Sequence, residues 1–332
     1  MTGLDFSVRR MTEADLPAVA EIEAGVFTDW YRVYRRDDTP VAERTLEELR
    51  HSTSIDPQAN QVAIAADGSM VGFILGRTWG RVGWFGTFGV PTQFQGQGIG
   101  KALVASTMEY LAGRANIVGL ETMPESGMNI GLYTKLGFAV TFPTLLFELP
   151  LIKEADRYRG MKAGDVVLLR QLGRGDRKSV LDGIARISNE LIDGLDYRPE
   201  VLAVERSGFG ETVFHEGRGG RVDGFAVLRT APFRKGDAAD SGRAYLHLLG
   251  ISPGADLETV FGDLIRQVWT IGVSRGFARL STGASSRRAD APALLLGGGF
   301  RSVRAAVRMV HRSAPSSMFS PAGGINLARW AG

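Results

Sequence analysis

The chain has 332 residues, about twice a usual domain, and its 44% hydrophobic and 23% charged content excludes a disordered chain and favours two globular domains. Cysteine is absent, and the four histidines (His51, His215, His247, His311) show no metal-ligand spacing. Disulfides, thiolate metal sites, a cysteine nucleophile and a zinc site are therefore not expected. A net charge of +3 is too small for a polyanion groove, no apolar run is long enough to cross a membrane, and Met1 to Arg10 lacks the apolar run of a secretory signal. The expectation is a cytoplasmic protein with no nucleic-acid, membrane or metal partner.

In chain order, Ser7 to Met11 reads as a strand, and Thr12 with Asp15 three residues on forms a loose capping box. Leu16, Val19, Ile22 and Val26 follow at helical spacing. Arg32 to Arg36 is read as a solvated face or pocket rim. Asp37 to Pro40 breaks the pattern, and Val41 to His51 predicts a second helix. Gln61–Ala66 and Met70–Arg77 are strands joined by Asp67-Gly68, a hairpin signal. Val82 to Val90 is a further strand. A glycine-rich turn then leads into a helix with Leu103, Val104, Met108 and Leu111 inward. Ile117 to Met123 reads as a strand, and Ile130 to Leu136 as a short helix capped by Gly137. Val140 to Leu149 reads as two edge strands around Pro143.

From Asp165 the pattern starts again. Arg9, Met11 and Asp15 correspond to Arg170, Leu172 and Asp176, and Gly89-Val90 and Leu103 to Gly250-Ile251 and Leu264, at a constant offset of 161. Gly72-Phe73 finds Gly224-Phe225, and Gly137-Phe138 finds Gly299-Phe300 at an offset of 162. Such anchors point to a duplicated fold. The expected units are 1–152, a polar linker at 153–164, a second domain at 165–312 and a tail at 313–332. The tail carries Met318, Phe319, Ile325, Leu327 and Trp330, too apolar for a loose end, and is expected to pack on the body.

The stretch that carries chemistry runs from Gly89 to Lys101. A strand ends at Val90 and a helix begins near Gly98, with Gly96, Gly98 and Gly100 between. Glycines let several N–H groups converge at the positive end of a helix dipole, a phosphate cradle that needs no basic side chain. A P-loop is excluded because Ala102, not Ser or Thr, follows Lys101. A dinucleotide fingerprint fails because Gly100 follows Gly98 by two positions, and because four strand-like runs precede the turn. Gln95-Gly96-Gln97-Gly98-Ile99-Gly100 instead resembles the acyl-coenzyme A signature of the GNAT N-acetyltransferase superfamily. Leu132-Tyr133-Thr134-Lys135-Leu136-Gly137-Phe138 resembles that family's Leu-Tyr-x-x-x-Gly-Phe motif, and the likeness covers most of residues 5–150.

The resemblance implies an α/β fold of α+β type: two tandem GNAT-like domains, each a mixed, mostly antiparallel twisted sheet flanked by helices. It implies acetyl-coenzyme A as co-substrate, with its diphosphate on the amides of Gln95, Gly96, Gln97, Gly98, Ile99, Gly100 and Lys101. Its pantetheine amides would pair with the strand edge at Phe88, Gly89 and Val90. A strand N–H near Phe88 would stabilise the oxyanion, and Tyr133 would both touch the cofactor and protonate the leaving thiolate. For the base, the fourth strand has no carboxylate, which leaves Glu121 and Glu125; Glu121 is the catalytic candidate. Asn129 is a candidate cofactor contact, although the family's asparagine position holds Ser126 here. Acceptor selection would fall to Asp29, Trp30 and Tyr31, with Trp84 from the fourth strand.

At the 161 offset, Gly96, Gly98 and Gly100 become Leu257, Thr259 and Phe261, while Gln95 and Gln97 become Asp256 and Glu258. Side chains and carboxylates would exclude phosphate there, so the second copy reads as degenerate, its tyrosine replaced in the region of Leu294 to Leu296. The expected function is direct acetyl transfer to a primary amine of a small molecule or peptide, by a monomer or homodimer. Two alternatives stand beside it: a non-catalytic acyl-coenzyme A binding or sensing protein, and a structural interaction protein.

Overall fold

A computed structural model describes residues 4–152, 158, 165–236, 242–288, 290–320, 324–328 and 330. The expected linker 153–164 lies outside these residues except for Tyr158. The first half comprises β1 (Phe6–Arg10), α1 (Leu16–Arg35), α2 (Leu46–Ser54), β2 (Gln61–Ala65), β3 (Met70–Trp79) and β4 (Val82–Gly89). It continues with α3 (Ile99–Ala112), β5 (Ile117–Thr122), α4 (Gly127–Lys135), β6 (Phe138–Val140) and β7 (Thr144–Pro150). The second half comprises β8 (Val166–Leu168), α5 (Arg174–Leu191), α6 (Arg198–Ser207), β9 (Gly210–Glu216), β10 (Val222–Arg229) and β11 (Arg243–Ile251). It ends with α7 (Leu257–Ser274), β12 (Arg279–Ser285), α8 (Asp290–Gly297), β13 (Arg301–His311) and β14 (Ile325–Ala328).

Local chemistry sets these elements. Asp15 accepts from the Thr12 amide at 2.7 Å and grips Arg9 with both carboxylate oxygens at 2.8 Å, which turns β1 into α1. Gly137 takes φ +90° just past α4, a position where only glycine is unstrained. The second helix differs from the expectation over Val41–His51. It starts at Leu46, capped by Thr45, whose hydroxyl accepts from the Glu48 amide at 3.2 Å. Residues 41–45 are instead held extended by the second half: the Thr45 amide donates to Phe233 O at 3.1 Å and the Lys235 amide to Glu43 O at 2.8 Å.

The strands join into one 14-stranded array in the order β1-β2-β3-β4-β5-β13-β7-β12-β14-β11-β10-β9-β8, with β6 beside β13. The two halves exchange their last strands. β13 pairs through Arg301–Ala306 with β7, then through Val307–Val310 with β5 and Met309–His311 with β6, inside the first half's sheet. β7 in turn lies between β13 and β12, with Leu149 opposite Leu280. The expectation of edge strands around Pro143 is thereby corrected: β7 is central, because the second half supplies the strand on one side of it and the partner on the other. A buried core spans the junction and contains Trp79, Trp84, Tyr197, Phe225 and Trp330.

A buried polar network bolts α1 and α2 to the second half. Arg44, with 0% of its side chain exposed, ion-pairs with Glu48 and lies 3.5 Å from Glu23. Glu48 also takes Arg229 of β10 at 2.9 Å, and Glu23 takes Arg234 at 3.0 Å. Glu200 of α6 accepts from Trp79 at 3.2 Å and pairs with Arg77 at 3.5 Å. Burial alone would raise the Glu48 carboxyl, but Arg44 and Arg229 outweigh it and hold it at about 2, below its ordinary 4.5. Burial, aided by Arg229, lowers His51 from 6.5 to about 4.

Both groups make the unfolded chain the stronger proton binder, so stability is lost on acidification. His51 contributes to the loss as pH falls from 6.5 towards 4, and Glu48 from 4.5 towards 2. A calorimetric Tm series from pH 7 to pH 3 is expected to fall throughout these windows, and Glu48→Gln is expected to cost about 3–5 kcal/mol at neutral pH by leaving buried arginines uncompensated. Because β7 takes both of its neighbours and β5 one of its two from the second half, a 1–152 fragment is expected to show no cooperative thermal transition by circular dichroism.

Candidate active site

β4 and β5 run parallel and pair only from Val82–Ile117 to Phe85–Leu120. Beyond that point Phe88 and Gly89 pair with β3 alone, at Ile74–Phe88 and Phe73–Gly89, while Gly86 and Thr87 fall in a register shift, so one edge of β4 faces an opening between the strands. Sheet polar groups at such an edge demand a partner. The turn after β4 closes over this opening. Gly96 (φ +78°) and Gly98 (φ +85°) adopt left-handed backbone, and a Cβ on either would meet nothing within 4 Å. Their smallness is therefore conformational and not a matter of packing. At Gly100, a Cβ would lie 3.0 Å from the Phe88 ring, so glycine there lets α3 seat on β4.

The first amide of this turn with an intrahelical acceptor is Ala102, which donates to Gly98 O at 3.0 Å. The amides from Gly96 to Lys101 have no acceptor among the described residues. They sit at the positive end of α3 on a mostly exposed turn. Gln95 stiffens the turn by donating to Val90 O at 3.0 Å, and Gln97 accepts from the Leu4 amide at 3.1 Å. Ile99 is buried under the turn, while Lys101 is exposed. These free donors and the open strand edge fit the diphosphate and the amide chain of an acyl-coenzyme A.

Tyr133, 5% exposed, sits on α4 against Phe85, Phe88 and Phe138, with ring centroids 6.0–6.5 Å apart. Burial alone pushes its phenol far above the ordinary value of 10, so it keeps its proton at any working pH. Its hydroxyl has no hydrogen-bond partner among the described residues. Asn129 lies half-buried on the same helix. Ser126, at the helix start, is buried with an unpartnered hydroxyl, and its presence there was visible in the sequence only as a departure from the family pattern.

The Glu121 side chain is 2% exposed and fully engaged on one oxygen. Its Oε1 accepts from Arg308 of β13 at 2.7 and 3.0 Å and from the Thr144 hydroxyl of β7, while Oε2 is buried without a partner. Glu125 is exposed and lies 3.7 Å from Arg35. Trp84 does not line an open pocket. It is 0% exposed, edge-on to Trp330 at 4.6 Å, with Arg308 over its ring at 5.3 Å. The tail that covers it cannot be located from the first half's sequence. Trp30 and Tyr31 are half-buried at the end of α1, beneath Arg35, whose guanidinium lies 5.1 and 4.9 Å from their rings. Asp29 is half-buried and occupied, accepting from Thr92 at 2.9 Å and Arg32 at 3.1 Å. The network also brings in Thr87, which the sequence reading missed: its hydroxyl, on the open part of β4, lies 3.4 Å from Arg44.

In the second half, the equivalent edge of β11 is not open. β14 pairs antiparallel with Leu248–Ile251 and reaches β12 through Leu327–Ala284. Asp256 there caps α7, accepting from the Thr259 amide at 3.2 Å, so a side chain takes a donor that the glycine turn of the first half leaves free. Among the described residues no helix is long and apolar enough to cross a membrane, and no cluster of three or more His, Asp or Glu could hold a metal ion.

Residues 27–138 match the Acetyltransferase (GNAT) family. An aminoglycoside N(6')-acetyltransferase type 1 from Stenotrophomonas maltophilia is 28% identical over 156 residues, which is 44% of this chain and 94% of that protein. A putative acetyltransferase from Pyrococcus horikoshii superposes with a TM-score of 0.66 at 17% identity, over 100% of this chain and 96% of the other. A tandem GNAT protein from the clavulanic acid biosynthesis pathway gives 0.55 at 14% identity, over 94% and 100%. Saccharomyces cerevisiae N-myristoyltransferase with bound myristoyl-CoA gives 0.65 at 11% identity, over 96% and 85%. At these identities the three structures speak for the fold.

Proposed function

We propose, from the premise that residues 27–138 place this chain in the GNAT acetyltransferase family and that it is an acyltransferase, that its first half moves an acetyl group from acetyl-coenzyme A directly to an amine. The observation that carries the reading is the set of unpaired amides from Gly96 to Lys101 beside the unpaired edge of β4. Bound there, the co-substrate supplies an activated thioester. The chain's residues do the rest. The glycine turn and the α3 dipole hold the diphosphate. The strand edge at Phe88 to Val90 aligns the pantetheine arm. Tyr133, kept neutral by burial, hands its proton to the departing sulfur.

Glu121 supports the reading in a different way from the one expected of a base. Its Oε1 is committed to Arg308 and Thr144, which suits a positioning residue that fixes β5 against the exchanged strands. Glu125, exposed on the loop after β5, is the carboxylate with freedom to accept the amine's proton. The aminoglycoside acetyltransferase relative supports an amine on a polar small molecule as acceptor, with Trp30 and Tyr31 as its apolar wall. In this reading the second half is a degenerate copy that closes the acceptor side and binds no cofactor, because β14 fills its slot.

Calorimetric titration with acetyl-coenzyme A is expected to give one site per chain, and a thiol-release screen over aminoglycosides, polyamines and peptide amines to identify the acceptor class. Tyr133→Phe is expected to lower kcat at least tenfold, about 1.4 kcal/mol, with an unchanged dissociation constant for coenzyme A. Two equivalent sites, or an undiminished kcat, would overturn the assignment. Glu121→Gln is expected to lower Tm while leaving the pH profile of kcat in place, whereas Glu125→Gln is expected to displace its acid limb.

A further inference from the structure

We propose that the second half carries a small-molecule site of its own, a cavity of about 350 Å³ in which the paired guanidinium groups of Arg287 and Arg288 take an oxyanion, phosphate or carboxylate. The cavity lies where the end of α5 meets the loop after β12, and is walled by Leu191, Ile192, Pro253, Pro315 and Met318, with Ile117 of β5 from the first half. It does not depend on the acyl-coenzyme A reading of the first half.

The cavity holds uncompensated positive charge. Arg287 and Arg288 are adjacent in sequence, and both line the cavity. Arg288 is only 3% exposed, yet no carboxylate among the described residues pairs with either arginine. Their fixed partners are neutral main-chain oxygens. Arg287 donates to Ser320 O at 2.8 Å and Ser317 O at 2.7 Å, and Arg288 donates to Leu191 O. Arg287 Nη1 is buried without any partner. Burial beside a second cation brings Arg288 down to about 10 from 12.5, a measure of how poorly the site is neutralised. A buried charge is costly unless paired, and a guanidinium fork is shaped for a planar or tetrahedral oxyanion.

Two carboxylates also line the cavity, one occupied and one exposed. Glu190 accepts from Ser252 and Arg186, each at 2.7 Å, and Asp193 stands at the exposed rim. The ligand class that fits is therefore a small oxyanion, phosphate or carboxylate, held by the arginines. β14 already blocks the neighbouring pantetheine-like slot, so the cavity is not a second coenzyme A site.

The test is isothermal titration of the full chain with inorganic phosphate and, separately, with succinate, each with coenzyme A present at saturation so that the glycine turn of the first half does not compete. One phosphate or one succinate per chain is expected, weakened at least tenfold by Arg287→Gln and partly restored in Arg287→Lys. Preference between the two anions distinguishes a phosphate ligand from a carboxylate ligand. A purely structural role, in which Arg287 only holds the tail carbonyls, predicts a lower Tm in Arg287→Gln with anion affinity intact. That result would overturn the site, as would no binding of either anion up to about 10 mM. The far-ultraviolet circular dichroism spectrum of the same variant reports whether it has kept its fold.

Discussion

The hydrogen bonds that β13 makes on both its edges hold this molecule together. A parallel pair such as β4–β5 can open at one end only if each strand is secured from its far side. For β4 that support is β3; for β5 it is β13, which arrives from the other end of the chain. Without β13, β5 would be an unpaired edge and the cleft would have one loose wall. The Glu121–Arg308 pair sits at this joint, buried under the rings of Trp84 and Trp330. The geometry of the first half's cleft is therefore a property of the whole chain.

The two copies handle the same backbone problem differently. Each has a bulge at the same place in its fourth strand, opposite β3 in one case and β10 in the other. Each then diverges from the fifth strand and leaves main-chain donors and acceptors in need of partners. The first leaves that edge of β4 unpaired beside a glycine turn. The second satisfies them internally with β14, and its turn region carries a side-chain cap at Asp256 in place of free amides. In the second half the chain's own β14 thus takes the edge that stays open in the first. What space survives beside that strand is lined by arginines, not by amides, and calls for a different ligand.

Features written in local sequence were legible. The capping box at Thr12, the Asp67-Gly68 hairpin, the Gly137 cap and the glycine turn after β4 each depend on residues within a few positions of one another. The features that escaped reading depend on residues far apart in the chain. α2 begins later than its pattern suggests because residues 232–235 hold residues 41–45 extended. Trp84 looked like a pocket residue because nothing near it in sequence shows that Trp330 will cover it. Glu121 looked like a base because its partner, Arg308, lies on the exchanged strand.

The sequence by itself determined that a strand ends and a helix begins around a glycine-rich turn, and that Leu257, Thr259 and Phe261 stand 161 residues on from Gly96, Gly98 and Gly100. Backbone conformation and helix polarity are short-range effects, so they survive reading one residue at a time. Only the tertiary structure decided which strand secures β5, which tail fills β11, and which charges meet in the interior. Those outcomes rest on pairing and desolvation between residues more than a hundred positions apart, energies that no local stretch of chain contains.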